Sequence, residues 1–305
     1  MHQCTICIPT LNAASYIGKV LFSLERQTTS CEVIVVDSSS TDSTVKIAES
    51  LGAKTITIKM EDFDHGGTRN LAARYAQGDV VVFLTQDALP DDEYCLENLI
   101  RPLENPEIAA TYGRQIPTVN ATPVEKFARL FNYPPTPIVK GKDDISKLGI
   151  KTFFFSNACS AIRKKEFEEL GGFSEKVIMN EDTILAAKLI LKGYKIAYMP
   201  EAKVIHCHNY TWGQQFKRYF DIGVSHRDNM WMLEYGKTHR EGLKFLKEAI
   251  SYLLRNRAYK WLPYVMGEAI SRYAGYKLGL NYTMIPNHLR KRISMHVHYW
   301  KYIFR

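Results

Sequence analysis

The sequence predicts an α/β fold with a doubly wound, parallel sheet. Strand-like runs alternate with helical periods of about ten residues through the first hundred positions. The run Val80–Leu84 is apolar throughout and reads as a buried strand. The strand runs also end in polar residues, so polar groups gather at one edge of the sheet, where open parallel sheets bind ligands.

CTICIPT (4–10) is the first strand. In Tyr16–Gln27, Ile17, Val20, Leu21 and Leu24 fall at helical spacing. CEVIVVD (31–37) is the second strand, and SSSTDST starts a helix over Ser43–Leu51. KTITIK is the third strand; a helix over Thr68–Gln77 stops at Gly78. Val80–Leu84 then runs into Thr85, Gln86 and Asp87 before Pro90 breaks it. A carboxylate at that end of a strand is a helix cap or a ligand for the crevice. Ala110–Gln115 reads as a strand, and Ile116–Ile150 as a long loop with one short helix near Val124–Phe131. KTFFFSNACSAIRK reads as strand, turn, strand. Helices follow at Glu166–Leu170 and Glu181–Leu191, short strands at Tyr194–Met199 and Ala202–His206, and helix from Trp212 onward.

At 305 residues the chain can bury one large core, or a core with an appendage. The N-terminus enters a strand directly and shows no signal peptide; no apolar run approaches the roughly 20 residues of a spanning helix. The six cysteines are scattered, and Cys4 and Cys7 fall on opposite faces of one strand, a poor metal clip. They read as buried free thiols, which fits a cytoplasmic protein. The net charge of +8 is uneven. Residues 240–305 hold 13 Lys/Arg against three Asp/Glu, a balance of +10, which leaves −2 for the rest.

The strand ends deliver Pro9, Thr10 and Asn12 from the first strand, Asp37 and Ser39 from the second, and Gln86 and Asp87 from the fourth. FDHGGTRN brings Asp64, His65 and Arg69 around two glycines at a helix start. The first turn reads PTLNAAS, with neither a dinucleotide fingerprint nor a phosphate-binding glycine loop. A nicotinamide or flavin oxidoreductase is disfavoured. A bound diphosphate would instead need a metal ion and Arg69. Asn180-Glu181-Asp182 opens a helix, where carboxylates also suit the dipole. His206 and His208, two apart after a strand, share one face.

The motifs ICIPTLN, EVIVVDSSSTDST, FDHGGTRNLAARYAQGDVVVFLTQDALP and MNEDTILAAKLILKGYKIAYMPEAKVIHCH, in that order, resemble bacterial family 2 glycosyltransferases of the GT-A fold over roughly residues 3–230. FDHGGTRN followed by LTQDA resembles the rhamnosyltransferases of cell-surface polysaccharide assembly. The resemblance implies a mixed sheet flanked by helices, an inverting mechanism and a nucleotide-linked L-rhamnose donor, typically dTDP-rhamnose. The family's metal-binding Asp-x-Asp falls on Thr85-Gln86-Asp87, so only Asp87 matches, with Mg²⁺ or Mn²⁺ as the ion. Asp37 matches the base-reading carboxylate, which does not separate dTDP from UDP. Pro9, Thr10, Asn12, Ser39 and Gln86 fall in the nucleotide-contacting loops, and Arg69 and Arg218 near the donor phosphates. Asp182 is assigned as general base with Glu181 as the adjacent alternative. One of His206 and His208 is expected to meet the metal. The alternatives are another donor, UDP-hexose or UDP-N-acetylhexosamine, and a catalytically silent nucleotide-sugar-binding subunit.

A catalytic domain over residues 1–235 and a basic, aromatic helical region over 236–305 are expected. An anionic membrane surface is the favoured partner of the latter, placing the enzyme peripherally on the inner face of the cell membrane beside a lipid-linked saccharide acceptor. Core packing or a homo-oligomer can coexist with that, and nucleic acid is the least favoured partner.

Overall fold

The computed structural model describes residues 4–236 and 239–302. The first half runs β1 (Cys4–Thr10), α1 (Ile17–Glu25), β2 (Cys31–Asp37), α2 (Thr44–Ser50), β3 (Lys54–Thr57), α3 (His65–Tyr75), β4 (Val80–Leu84), β5 (Leu89–Pro90) and α4 (Cys95–Ile100). Then come β6 (Ile108–Ile116), α5 (Pro123–Asn132), β7 (Ile138–Lys140), α6 (Ile145–Leu148), β8 (Cys159–Arg163), α7 (Lys164–Glu169), α8 (Glu181–Lys192) and β9 (Lys195–Ile205). The chain closes with α9 (Trp212–Asp228), α10 (His239–Arg255), α11 (Leu262–Leu280), α12 (Asn287–Ile293) and α13 (Tyr299–Tyr302).

One sheet is ordered β3-β2-β1-β4-β8-β6-β9-β5, with β7 also on β9. The first four strands in that order are parallel. β8 then lies antiparallel between β4 and β6, so the sheet is mixed rather than wholly parallel. Alternation divides the core into two layers. Ile6, Ile8, Val80 and Val82 face Ile17, Val20, Leu21 and Leu99. Cys7, Val81 and Phe83 face Ala72, Phe173, Leu185 and Leu189.

Several elements differ from the sequence reading. The expected strand at the start of KTFFFSNACSAIRK is a 3-10 turn over Gly149–Phe153. Its backbone serves the buried Lys140 instead, whose Nζ donates to the carbonyls of Lys151 and Phe154. The two short strands after α8 are one, β9, whose register against β6 jumps between Gly113↔Met199 and Arg114↔Lys203. Pro200, which lacks an N–H, sits in that irregular stretch. Helix α3 starts three residues earlier than expected, because Asp64 caps it by accepting from the Gly67 N–H at 2.6 Å. A Cβ on Gly66 would collide with the Ser174 carbonyl, so that glycine permits close approach. The free-thiol reading is also corrected. Cys4 and Cys31 face each other across β1 and β2, 4.9 Å apart at Cα, and are joined by a disulfide. Only Cys7, Cys95, Cys159 and Cys207 are free, so cysteine usage no longer argues for a reducing compartment.

Beyond residue 235 the chain packs back on the sheet-bearing part. Helix α11 lies along α9 through Gly267, Gly275 and Gly279, while α10 packs on α5. Among the described residues no helix is long and apolar enough to cross a membrane. A methyl group at Gly275 would meet the Phe216 carbonyl. Gly275→Ala should therefore lower stability by about 1–3 kcal/mol in denaturant melts, through overpacking against backbone that has no room to yield.

Candidate active site

The two-residue pairing of β5 with β9 builds the first part of the site. Leu89 pairs with Ile205 and Pro90 with Val204. Asp87 lies just before that pairing and His206 just after it, so 119 positions of sequence separation close to a salt-bridge distance of 3.4 Å. His208 Nε2 lies 3.5 Å from the other Asp87 oxygen and 3.2 Å from His206 Nε2. These three donors fall within 4.8 Å of one another. The chemistry of the set fits a divalent cation, with one carboxylate oxygen and two imidazole nitrogens. Burial pushes the Asp87 carboxyl up, but the hydrogen bond and charge of His206 outweigh it and hold the group at about 2. Burial, then His206, press His208 down to about 4, so at neutral pH it presents the uncharged ring a metal needs.

Gln115, in β6, sets the tautomer of His206. Its Oε1 accepts from Arg129 Nη1 and lies 2.9 Å from His206 Nδ1. Its Nε2 donates to Tyr133 Oη at 2.6 Å and Ser156 Oγ at 2.8 Å. An amide oxygen only accepts, so His206 carries a proton on Nδ1, and the ring is held with Nε2 facing Asp87 and His208. Arg129 is itself held by Glu125, Nε to Oε1 at 2.7 Å.

The carboxylate pair opens α8. Glu181 is paired with Arg69 at 3.3 Å, both side chains being less than one-tenth exposed. Asn157 bridges the pair: its Nδ2 donates to Glu181 Oε1 at 3.3 Å and its backbone N–H to Asp182 Oδ2 at 3.2 Å. Asp182 has no cationic partner among the described residues; it accepts only backbone N–H and the Thr183 hydroxyl. Burial, and then the neighbouring Glu181 charge, raise its carboxyl to about 7.

Asp87, His206, His208, Arg69, Glu181, Asp182 and Arg218 all line one cavity of about 640 Å³. Arg218 rides on α9, whose start is fixed by a capping box between Thr211 and Gln214. Its guanidinium lies 5.7 Å from the Tyr210 ring centroid, and it has no carboxylate partner among the described residues. Arg69 donates to the His65 carbonyl at 2.9 Å, and its buried Nε has no partner. The remaining predicted residues do not line the cavity. Pro9 and Thr10 end β1, and Asp37, fully buried, accepts from Thr10 Oγ1 at 2.9 Å, Ser40 Oγ at 2.6 Å and Ser40 N at 2.8 Å. Asn12 accepts from the Thr41 N–H, Ser39 donates to the Ile58 carbonyl, and Gln86 accepts from the Leu11 N–H. Together they form a hydrogen-bonded crown over the ends of β1, β2 and β4.

Sequence reasoning missed Gln115, Arg129, Asn157 and the C-terminal wall. Met295 and His296 line the cavity, held there by buried Asp221, which accepts from their backbone N–H groups at 2.8 and 3.3 Å. His296 also lies 3.3 Å from His65, across 231 positions. No local pattern marks these residues. Only the polarity of Gln115 at a strand's inner end and the Asn in FFFSNACS were signals.

If Gln115 orients His206, Gln115→Leu should weaken Mn²⁺ binding by about 10–100-fold while Asp87→Ala and His206→Ala weaken it further. Titration of free Mn²⁺ by electron paramagnetic resonance reads this without any turnover.

Comparison with known proteins gives the family and the fold. The glycosyl transferase family 2 model matches residues 5–171. The chain is 45% identical to the O-antigen chain rhamnosyltransferase RfbN of Salmonella typhimurium strain LT2, over 98% of this chain and 96% of that protein. It is 42% identical to WbaN of Salmonella anatum, another O-antigen chain rhamnosyltransferase, over 99% and 97%. Among solved structures, the mannosyltransferase PcManGT of Pyrobaculum calidifontis, with GDP-mannose and Mn²⁺, superposes with a TM-score of 0.60 at 21% identity, covering 99% of this chain and 85% of that one. A fragment of S. aureus TarS with UDP gives 0.53 at 17% identity, covering 92% and 91%. The likeness to these structures is one of fold. Their shared GT-A architecture, the family match over more than half of the chain and the full-length relatives lead to one conclusion: the chain belongs to glycosyl transferase family 2 and is a glycosyltransferase.

Proposed function

We propose that this enzyme transfers L-rhamnose from dTDP-L-rhamnose to a lipid-linked saccharide, with inversion at the anomeric carbon. The observation that carries the chemistry is the unequal carboxylate pair, Glu181 neutralised by Arg69 beside Asp182 with no cation. The sugar rests on the full-length relatives, both O-antigen rhamnosyltransferases.

Asp182 acts as general base. It takes the proton of the acceptor hydroxyl as that oxygen forms its bond to the anomeric carbon, while the bond from that carbon to the diphosphate oxygen breaks. A carboxyl near 7 is matched to this task, being strong enough to accept a proton and still ionised in a large fraction at neutral pH. Glu181 is a positioning residue: its charge raises Asp182, and its pairing with Arg69 keeps it from competing. Arg218 and the unpartnered Nε of Arg69 supply donors for the diphosphate. The nucleoside rests on the crown, with Asp37 fixing its loops from beneath. Asp87 with His206 and His208 would hold the divalent ion, whose contribution when bound is to offset the charge of the leaving diphosphate. Mn²⁺ suits a mixed carboxylate and imidazole set better than Mg²⁺, which favours oxygen.

Asp182→Asn should lower transfer by about 10²–10⁴-fold and leave donor binding nearly unchanged. The acid limb of kcat/KM should lie near pH 7, with activity lost as Asp182 protonates below it. Glu181→Gln should move that limb to lower pH, because it removes the like charge that holds the proton on. An unmoved limb would assign the base elsewhere.

Donor turnover tests the sugar. Purified enzyme with membrane-extracted lipid-linked saccharide should release nucleotide diphosphate from dTDP-L-rhamnose but not from UDP-glucose or UDP-N-acetylglucosamine. EDTA should stop the release and Mn²⁺ restore it. Release from a UDP-sugar alone would move the specificity and keep the mechanism.

A further inference from the structure

Helix α11 packs Val265 and Leu262 inward and carries a second set of apolar residues outward. Its contact with α9 is made through Gly267, Gly275 and Gly279, which let the backbones approach closely. Buried Glu268 and Arg272 pair with each other, and Glu268 accepts from Gln215 at 2.9 Å. The opposite face presents Pro263, Met266, Ile270 and Tyr273, at spacings of three, four and three, which is one stripe of a helix. Met266, Ile270 and Tyr273 are 45%, 67% and 60% exposed. A surface helix ordinarily turns such a stripe to the core. Here, among the described residues, the stripe is left largely exposed.

Its surroundings are basic. The turn that feeds the helix exposes Arg255, Arg257, Tyr259 and Lys260, and Lys277 follows one turn beyond Tyr273, its ammonium 5.8 Å from that ring's centroid. Beyond the helix lies Met284, 84% exposed. The stripe is about 15 Å long at the helical rise, too short to span a bilayer and suited to lying in its surface. A second copy meeting this face about a twofold axis would bring two segments of charge +10 together, which opposes that occupant.

We propose that the outward face of α11, with the Arg255–Lys260 turn, docks on an anionic phospholipid surface. Met266, Ile270 and Tyr273 enter the headgroup boundary, and the flanking lysines and arginines pair with lipid phosphates. The inference stands apart from the choice of sugar donor, and none of these residues lines the cavity.

The test is sedimentation of the full chain with phosphatidylcholine vesicles, with and without phosphatidylglycerol. Binding is expected only to the anionic vesicles, and high salt should weaken it. Ile270→Glu should lower vesicle affinity by at least about tenfold. Lys260→Gln, at an exposed position that cannot disturb folding, should lower it by about fivefold. Both variants should keep native circular dichroism and donor turnover. Three results would overturn the proposal: no binding by the native chain, equal binding after both substitutions, or a solution dimer that Ile270→Glu dissociates, which would assign the face to a second copy. Vesicle binding without turnover of dTDP-L-rhamnose would retire only the proposed donor.

Discussion

The buried ion pair between Arg69 and Glu181 is the interaction on which the site depends. It joins the second turn of α3 to the first turn of α8, two helices far apart in sequence. Removing either partner would leave a buried charge uncompensated, a loss of about 3–5 kcal/mol. The pair forms only because both helices can approach. Gly66 lets α3 press on the Ser174 carbonyl, and Gly172 leaves room for the Asn70 side chain. With Glu181 held, the neighbouring Asp182 bears the electrostatic strain of the site. Burial and a fixed like charge then raise it into the range a general base uses. One arginine thus divides two adjacent carboxylates into a paired and an unpaired one.

The cluster of Asp87, His206 and His208 depends on sheet topology in the same way. Insertion of β8 between β4 and β6 turns the sheet from parallel to mixed, and β9 then reaches back to β5. Two residue pairs of ladder suffice to set Asp87 beside His206. Gln115 comes from the strand neighbouring β9 and fixes the imidazole. Asp87, His206 and His208 then form a three-sided cluster of one carboxylate and two imidazoles.

The C-terminal helices serve both ends of the molecule. Arg272, Met295 and His296 close the cavity, while α11 turns an apolar stripe outward. The division expected near residue 235 marks a change of composition. The packing of α9 against α11 runs across it.

Much of the fold was legible because strand and helix periods are local. Alternation at two residues and apolar spacing at three and four located β1, β2, β4, α1 and α8. The motif order singled out Asp87, Asp182 and the two histidines, which the structure brings to one cavity. The Cys4–Cys31 disulfide, the tautomer of His206, the bridging by Asn157 and the His296 wall were not, because each depends on the distance between groups remote in the chain. The sequence by itself determined which residue types reach the carboxyl edge and where the basic charge lies. Only the tertiary structure decided which carboxylate is paired, which imidazole nitrogen faces Asp87 and which face of α11 is bare. Propensity and periodicity act over a few neighbouring residues, whereas pairing, burial and charge act through space.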